Sequence, residues 1–158
     1  QRFDSDKTMA DQVYIGFHPH SIDAQRRVAI PKEWRKDAGD DAVFYLLPGR
    51  NQTIQVLPKE LFEQEILDKV RKVSFANAEK SQALAMIGAK ASRSSCDKQG
   101  RITMTQELME HAGLKGEAIM VGSFTTIQIM TPERWNQSSM RTEDVLDQIE
   151  RIQESGEL

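Results

Sequence analysis

Two stretches of this 158-residue chain place an aspartate four positions before an arginine, Asp23 to Arg27 and Asp97 to Arg101. A carboxylate at that spacing in a tight turn can accept backbone N–H groups, as Asx turns do, and can also orient the guanidinium. The arginine then becomes a fixed planar donor on a loop, suited to a phosphate or to the O6 and N7 edge of guanine. The same spacing also serves a structural ion pair that closes a turn and, if exposed, stabilises little. The distribution of charge favours the first use. Residues 23–36 carry Arg26, Arg27, Lys32, Arg35 and Lys36 against two acids, a local net of +3, and residues 90–101 also reach +3. Residues 141–158 carry −4, and the whole chain −3. A basic excess gathered at both turns is the footprint of an anion-binding face on a protein of modest overall charge.

The elements that must position these turns repeat along the chain. DAQRRVAIPKEWRKDAG at 23–39 matches DKQGRITMTQELMEHAG at 97–113 with an offset of 74, and TIQVLPKELF at 53–62 matches TIQIMTPERW at 126–135. Two matched blocks in the same order indicate a duplicated module. In each copy the turn leads into a strand with alternating apolar residues, Val28 and Ile30 or Ile102 and Met104. A short helix follows, starting near Pro31 and stopping at Gly39 in the first copy. In the second, Thr105 is the expected N-cap and Gly113 lies just past the end. Two strands then form a hairpin, with Pro48, Gly49 and Asn51 as turn residues in the first copy and Gly122 and Ser123 in the second. After Pro58 and Pro132 the period becomes helical, with a break near Ser138 in the C-terminal segment. The layout is ββαββ plus a helix, twice. Its bounds are an N-terminal extension over 1–13, expected to be flexible, a first repeat with its helix over 14–73, a helical linker over 74–87, and a second repeat with the C-terminal helix over 88–158.

HSIDAQRRVAIPKEWR resembles the opening signature of the bacterial MraZ family, approximately HSLDxKGRxxIPxxxR, and CDKQGRITMTQEL is similar to the family's second copy of that motif. The resemblance spans roughly residues 14–152. It implies a mainly β, α+β fold of two tandem AbrB-like swapped-hairpin repeats closing one pseudo-twofold barrel. It further implies a transcriptional regulator of the division and cell-wall gene cluster, binding direct repeats in double-stranded promoter DNA as a ring-shaped homo-oligomer. Carried onto this sequence, the DNA-facing arginines are Arg27 and Arg101, with Asp23 and Asp97 shaping their loops and Gln25, Arg26, Lys98 and Gln99 as neighbours able to touch bases or phosphates. The sequence departs from the signature at Arg26, where the family has glycine, as Gly100 is in the second copy. Because only glycine takes positive φ freely, this substitution predicts a different backbone at the first turn.

Other function classes fit less well. Hydrophobic residues at 39% and charged residues at 28% describe a folded domain rather than a disordered chain. One cysteine, Cys96, and three histidines offer no zinc framework. His18 and His20 could share one side of a strand, without a third ligand at suitable spacing. Cys96 reads as a small packed hydrophobe, Trp34 and Trp135 as core or subunit-interface anchors, and ALAMIGAK at 83–90 as inter-repeat packing. His111 is expected to cover a barrel edge or to meet the last helix carbonyls. Hydrolase, phosphate-loop and zinc-peptidase motifs are absent, so no enzyme, small-molecule substrate or cofactor is expected. The competing class is an oligomeric protein-interaction or antitoxin-like module, for which the acidic C-terminal helix would serve. The polar first dozen residues and a longest apolar run of six predict neither a signal peptide nor a membrane span, the lone cysteine fits a reducing compartment, and the resemblance implies a cytoplasmic, nucleoid-associated protein.

Overall fold

The computed structural model describes residues 12–35, 42–138 and 141–156. Lys36, the expected helix stop at Gly39 and most of the N-terminal extension lie outside the described residues. At Gln12 the chain is anchored: the side chain is buried and its amide donates to the Glu33 carbonyl at 2.9 Å.

Among the described residues, eight strands form two sheets: β1 (Phe17–Ser21), β2 (Arg27–Ala29), β3 (Val43–Gly49), β4 (Thr53–Pro58), β5 (Ser92–Ser95), β6 (Arg101–Thr103), β7 (Glu117–Gly122) and β8 (Ile127–Met130). Six of them make an antiparallel sheet in the order β1-β7-β8-β4-β3-β5, and β2 pairs only with β6. Period-two alternation selects the inner face: Phe44 and Leu46, Ile54 and Val56, Ala118 and Met120, and Ile127 and Ile129 are all buried. Register brings them together, Leu46 opposite Val56, Ile54 opposite Ile129, and Ile129 opposite Met120. Val28 and Ile102 face each other on the small ribbon and join the same core with Ile30, Met104, Trp34 and Leu108. Each such side chain contributes roughly 1.5–3 kcal/mol of burial.

The expected closed barrel is not what the strands make. β1 and β5 stand at the edges of an open sheet. The reason lies in the two Asp-x-x-x-Arg turns, which carry the chain out of the sheet after β1 and again after β5. The three-residue strands β2 and β6 then use their pairing on each other and form a second layer over the core.

Helices fill the remaining connections. A 3-10 turn, Lys32–Trp34, follows β2 and buries Trp34 edge-on to Tyr14 and His18. After β4 come α1 (Lys59–Leu61), a π-helical stretch Phe62–Leu67 and α2 (Asp68–Arg71), with Phe62 stacked on Tyr45 at 4.1 Å. α3 (Ala78–Lys90) starts at an Asn77 cap, α4 (Gln106–Ala112) runs from the Thr105 cap to Gly113 in the left-handed region, and α5 (Pro132–Ser138) precedes α6 (Thr142–Ser155). Thr105 Oγ1 accepts the Leu108 N–H at 3.1 Å, as its position predicts. The break expected near Ser138 separates α5 from α6.

Three further expectations change. Pro48 and Gly49 belong to β3 rather than to the turn, because Asn51 and Gln52 both take φ of 60° and supply the left-handed pair that suits a tight hairpin. ALAMIGAK packs little: Met86 and Ile87 on α3 are exposed. His111 meets neither a barrel edge nor its own helix end, since its Nε2 lies 2.8 Å from the Gly49 carbonyl at the end of β3. No helix among the described residues is long and apolar enough to cross a membrane.

Candidate nucleic-acid interface

Each Asp-x-x-x-Arg segment folds as a three-residue hairpin loop of the same geometry. In the first, the Arg26 N–H donates to the Asp23 carbonyl at 3.0 Å and the Asp23 N–H to the Arg27 carbonyl at 3.1 Å; Gly100, Asp97 and Arg101 repeat this at 2.9 and 3.0 Å. The aspartate carboxylate fastens the loop from inside. Asp23 Oδ1 accepts the N–H groups of Gln25 and Arg27 at 3.0 and 2.8 Å, and Asp97 Oδ1 those of Gln99 and Arg101, both at 2.9 Å. The second oxygen takes the arginine: Arg27 Nε donates to Asp23 Oδ2 at 2.7 Å, and Arg101 Nε to Asp97 Oδ2 at 2.8 Å. These bonds, led by the backbone N–H of Arg27 or Arg101, hold both carboxyls below their ordinary pKa. Both aspartates are therefore ionised at neutral pH.

The ribbon brings the loops together. Val28 and Ile102 point inward, so Arg27 and Arg101, one position before each, lie on the outward face of β2 and β6. Arg101 Nη1 reaches within 3.6 Å of Asp23 Oδ2, the oxygen that also holds Arg27 Nε. One carboxylate thus orients an arginine from each loop. Both arginine side chains keep about a third of their surface exposed, 33% for Arg27 and 28% for Arg101. Arg27 Nη2 also donates to Gln25 Oε1 at 3.1 Å. Gln25, Lys98 and Gln99 are exposed at the loop tips. All eight residues expected at the site therefore lie on the two loops.

Arg26 does not force a different backbone. It takes φ of 62°, beside 77° for Gly100, so the two loops match. Its side chain explains the tolerance: Nε donates to the Met104 carbonyl at 2.9 Å. A left-handed non-glycine residue costs roughly 1–2 kcal/mol, whereas a partly buried hydrogen bond from a charged donor returns about 1.5–3. Arg35 was overlooked by the chemistry of the turns alone. Its Nε donates to the Ile30 carbonyl at 2.9 Å, and its place five residues after Ile30, at the last position of the IPxxxR signature, was the available signal. The other flagged residues are peripheral. His18 and His20 have ring centroids 6.3 Å apart, and burial, with the His18 charge, lowers the pKa of His20. Cys96 packs half-buried against the core, and burial pushes its thiol up to about 11. Trp135 is half-buried on Phe17 at 4.9 Å.

Comparison with known proteins places this geometry in a family. A family model described as "MraZ protein, putative antitoxin-like" matches residues 87–153. The chain is 30% identical over 145 residues to the transcriptional regulator MraZ of Clostridium acetobutylicum, covering 91% of this chain and 99% of that protein. The chain belongs to the MraZ family. Similar MraZ proteins occur in Lactobacillus johnsonii, 31% identical over 137 residues covering 87% of this chain and 94% of that protein, and in Thermomicrobium roseum, 32% identical over 123 residues covering 78% and 84%. The MraZ model's match takes in the loop with Gly100 and Arg101 and begins after the one with Arg26 and Arg27.

Proposed function

We propose that this chain is a sequence-specific DNA-binding transcriptional regulator that acts through its two arginine loops. The observation that carries the reading is the pairing of Arg27 and Arg101 on the outward face of a two-stranded ribbon, each held at Nε by an aspartate. Nε is engaged by the carboxylate, Arg27 Nη2 by Gln25 and Arg101 Nη1 by the approach to Asp23, which leaves Arg27 Nη1 and Arg101 Nη2 as the atoms most open to an acceptor. A two-stranded ribbon is narrow enough to enter a major groove, where arginine reads guanine. Gln25 and Gln99 are the neighbours able to reach adenine edges, and Lys98 a phosphate, while Arg26 is turned onto the Met104 carbonyl.

The symmetric strand order is consistent with two swapped-hairpin repeats. β1 of the first half pairs with β7 of the second, β5 of the second pairs with β3 of the first, and β4 pairs with β8 at the middle. The names of the relatives support a regulatory role, and by family likeness the target is the promoter of the division and cell-wall gene cluster, bound at direct repeats. A ring-shaped homo-oligomer would present the loops repeatedly, adding roughly 10²–10⁴ in avidity.

The test is a titration of the wild-type chain and of R27A and R101A on the upstream duplex and on a scrambled duplex, across a salt series. Each variant is expected to lose about 5- to 150-fold on the upstream duplex, the equivalent of about 1–3 kcal/mol for a base contact. Wild-type affinity should fall steeply with salt as phosphates are neutralised. Unchanged affinity in both variants, or no DNA retention at low salt, refutes the reading and favours a protein-interaction module.

A further inference from the structure

Two guanidinium groups bond equivalent carbonyls beside the two loops, yet they come from different places in the sequence. Arg26, within the first loop, donates Nε to the Met104 carbonyl at the exit of β6. Arg35, beyond β2, donates Nε to the Ile30 carbonyl at the exit of β2. In the 74-residue register Ile30 corresponds to Met104, so the accepting carbonyls are equivalent. The ladder agrees, because the Met104 N–H donates to the Arg26 carbonyl and the Ile30 N–H to the Gly100 carbonyl, each at 2.9 Å. Gly100 is the register partner of Arg26, and the space its side chain would need is taken: a Cβ there would overlap the Arg35 guanidinium. Met109, the register partner of Arg35, has no N–H donor in its side chain. Each carbonyl has one arginine, delivered either by the loop itself or by the chain beyond the opposing strand, and neither has two.

We infer that Arg26 and Arg35 are interchangeable braces, each fixing an arginine loop against the exit of the opposing strand, and that Arg26 is a positioning residue for Arg27 rather than a contact to nucleic acid. The functional part of this inference rests on the proposed DNA-binding reading; the brace itself does not. Arg26 in the first half and the methionine at 109 in the second are two halves of one exchange. The guanidinium that position 109 does not supply after β6 comes from inside the first loop.

The experiment uses the full chain and two readouts, affinity for the upstream duplex over a salt series and hydrogen exchange at the loop amides. R26G removes the first brace while relieving the left-handed backbone. Affinity should drop about five- to tenfold with an unchanged salt slope, and exchange should quicken at Arg27 and not at Arg101. Adding Met109→Arg should restore both within about twofold. R35M should quicken exchange at Arg101, and Gly100→Arg on that background should restore it, whereas G100R with Arg35 in place should be worse than either, since two guanidinium groups then contest one space. If the buried position 109 does not admit arginine, the R35M and G100R arm decides. The inference is overturned if R26G lowers the salt slope by about one with loop exchange unchanged, the signature of a lost phosphate contact, or if R35M/G100R fails to recover. If the wild-type chain does not bind DNA, the functional reading fails while the exchange readout still tests the braces.

Discussion

Asp23 is the residue at which the two loops meet, and replacing it by asparagine separates orientation from charge. Asp23→Asn preserves shape and an Oδ1 able to accept from Gln25 and Arg27, but it discards the negative oxygen that takes Arg27 Nε at 2.7 Å and attracts Arg101 Nη1 at 3.6 Å. Two opposing effects follow on DNA. Loss of one negative charge near phosphates strengthens non-specific binding by about two- to threefold in water. Loss of arginine orientation weakens the specific complex, by about 5- to 150-fold for each bidentate base contact forfeited, so the ratio of specific to non-specific affinity should fall by at least about tenfold. Asp97→Asn is the internal control. Asp97 accepts Nε of Arg101 alone, and Asp23 still draws on that arginine, so its effect on the ratio should be smaller. The assay is competition of labelled upstream duplex against scrambled duplex at fixed salt. Specific and non-specific affinities falling in parallel, or D97N proving as damaging as D23N, would refute the idea that one carboxylate sets both arginines.

Other consequences can be checked with standard measurements. Because the folded pKa of Asp23 and of Asp97 is lowered, each carboxylate favours the folded loop above its unfolded value near 3.9 and loses that contribution as pH falls through the folded value. Loop protection should therefore be flat from pH 8 to about 5 and decline below about pH 4, with D23N/D97N removing that acid-dependent step. At Gly122 a Cβ would strike the backbone of Tyr14 and Ile15, where Tyr14 and Phe124 exchange hydrogen bonds of 2.8 and 2.9 Å. Gly122→Ala should cost about 1–3 kcal/mol by overpacking and lower Tm by roughly 2–12 °C at about 2–4 °C per kcal/mol; an unchanged melt would contradict the close approach. The Cys96 thiol, half-buried and pushed up to about 11, should react with a thiol reagent at pH 8 far more slowly than in the urea-unfolded chain; equal rates would show it to be accessible.

Local features of the fold were legible because local chemistry decides them. Thr105 before an apolar-periodic stretch and Gly113 after it fix α4, and the alternation around Val28 and Ile102 fixes which face of the ribbon is buried. The two Asx-fastened loops follow from the same kind of reasoning, as the aspartate's hydrogen bonds reach only two and four residues along the chain. Pairing partners are another matter. That β1 joins β7 and β5 joins β3 depends on residues about 100 positions or about 50 positions apart, respectively, and period-two patterning names a face but not a neighbour. The open sheet has the same origin, since the number of residues left to β2 and β6 emerges only when the turns leave the sheet. Arg26 shows a local rule giving way to tertiary structure: its left-handed φ is acceptable because a carbonyl 78 residues away accepts its Nε.

The site then inherits its precision from the core rather than from the loops. A ribbon of three residue pairs is too short to be stable alone, and its position is set by Val28 and Ile102, both fully buried, and by Ile30 and Met104 just beyond it. Those last two residues place hydrophobic side chains in the core while their carbonyls receive Arg35 and Arg26. Each thus joins packing to loop geometry at a single position. Loop tips such as Ala24, Lys98 and Gln99 can vary without disturbing that connection, because their side chains are exposed and the aspartate holds the loop through backbone N–H groups, whereas Gln25 also accepts from Arg27 Nη2. On the proposed DNA-binding reading, variation at the tips would change which bases are touched, and variation at Asp23, Arg26 or Arg35 would change how Arg27 and Arg101 are presented.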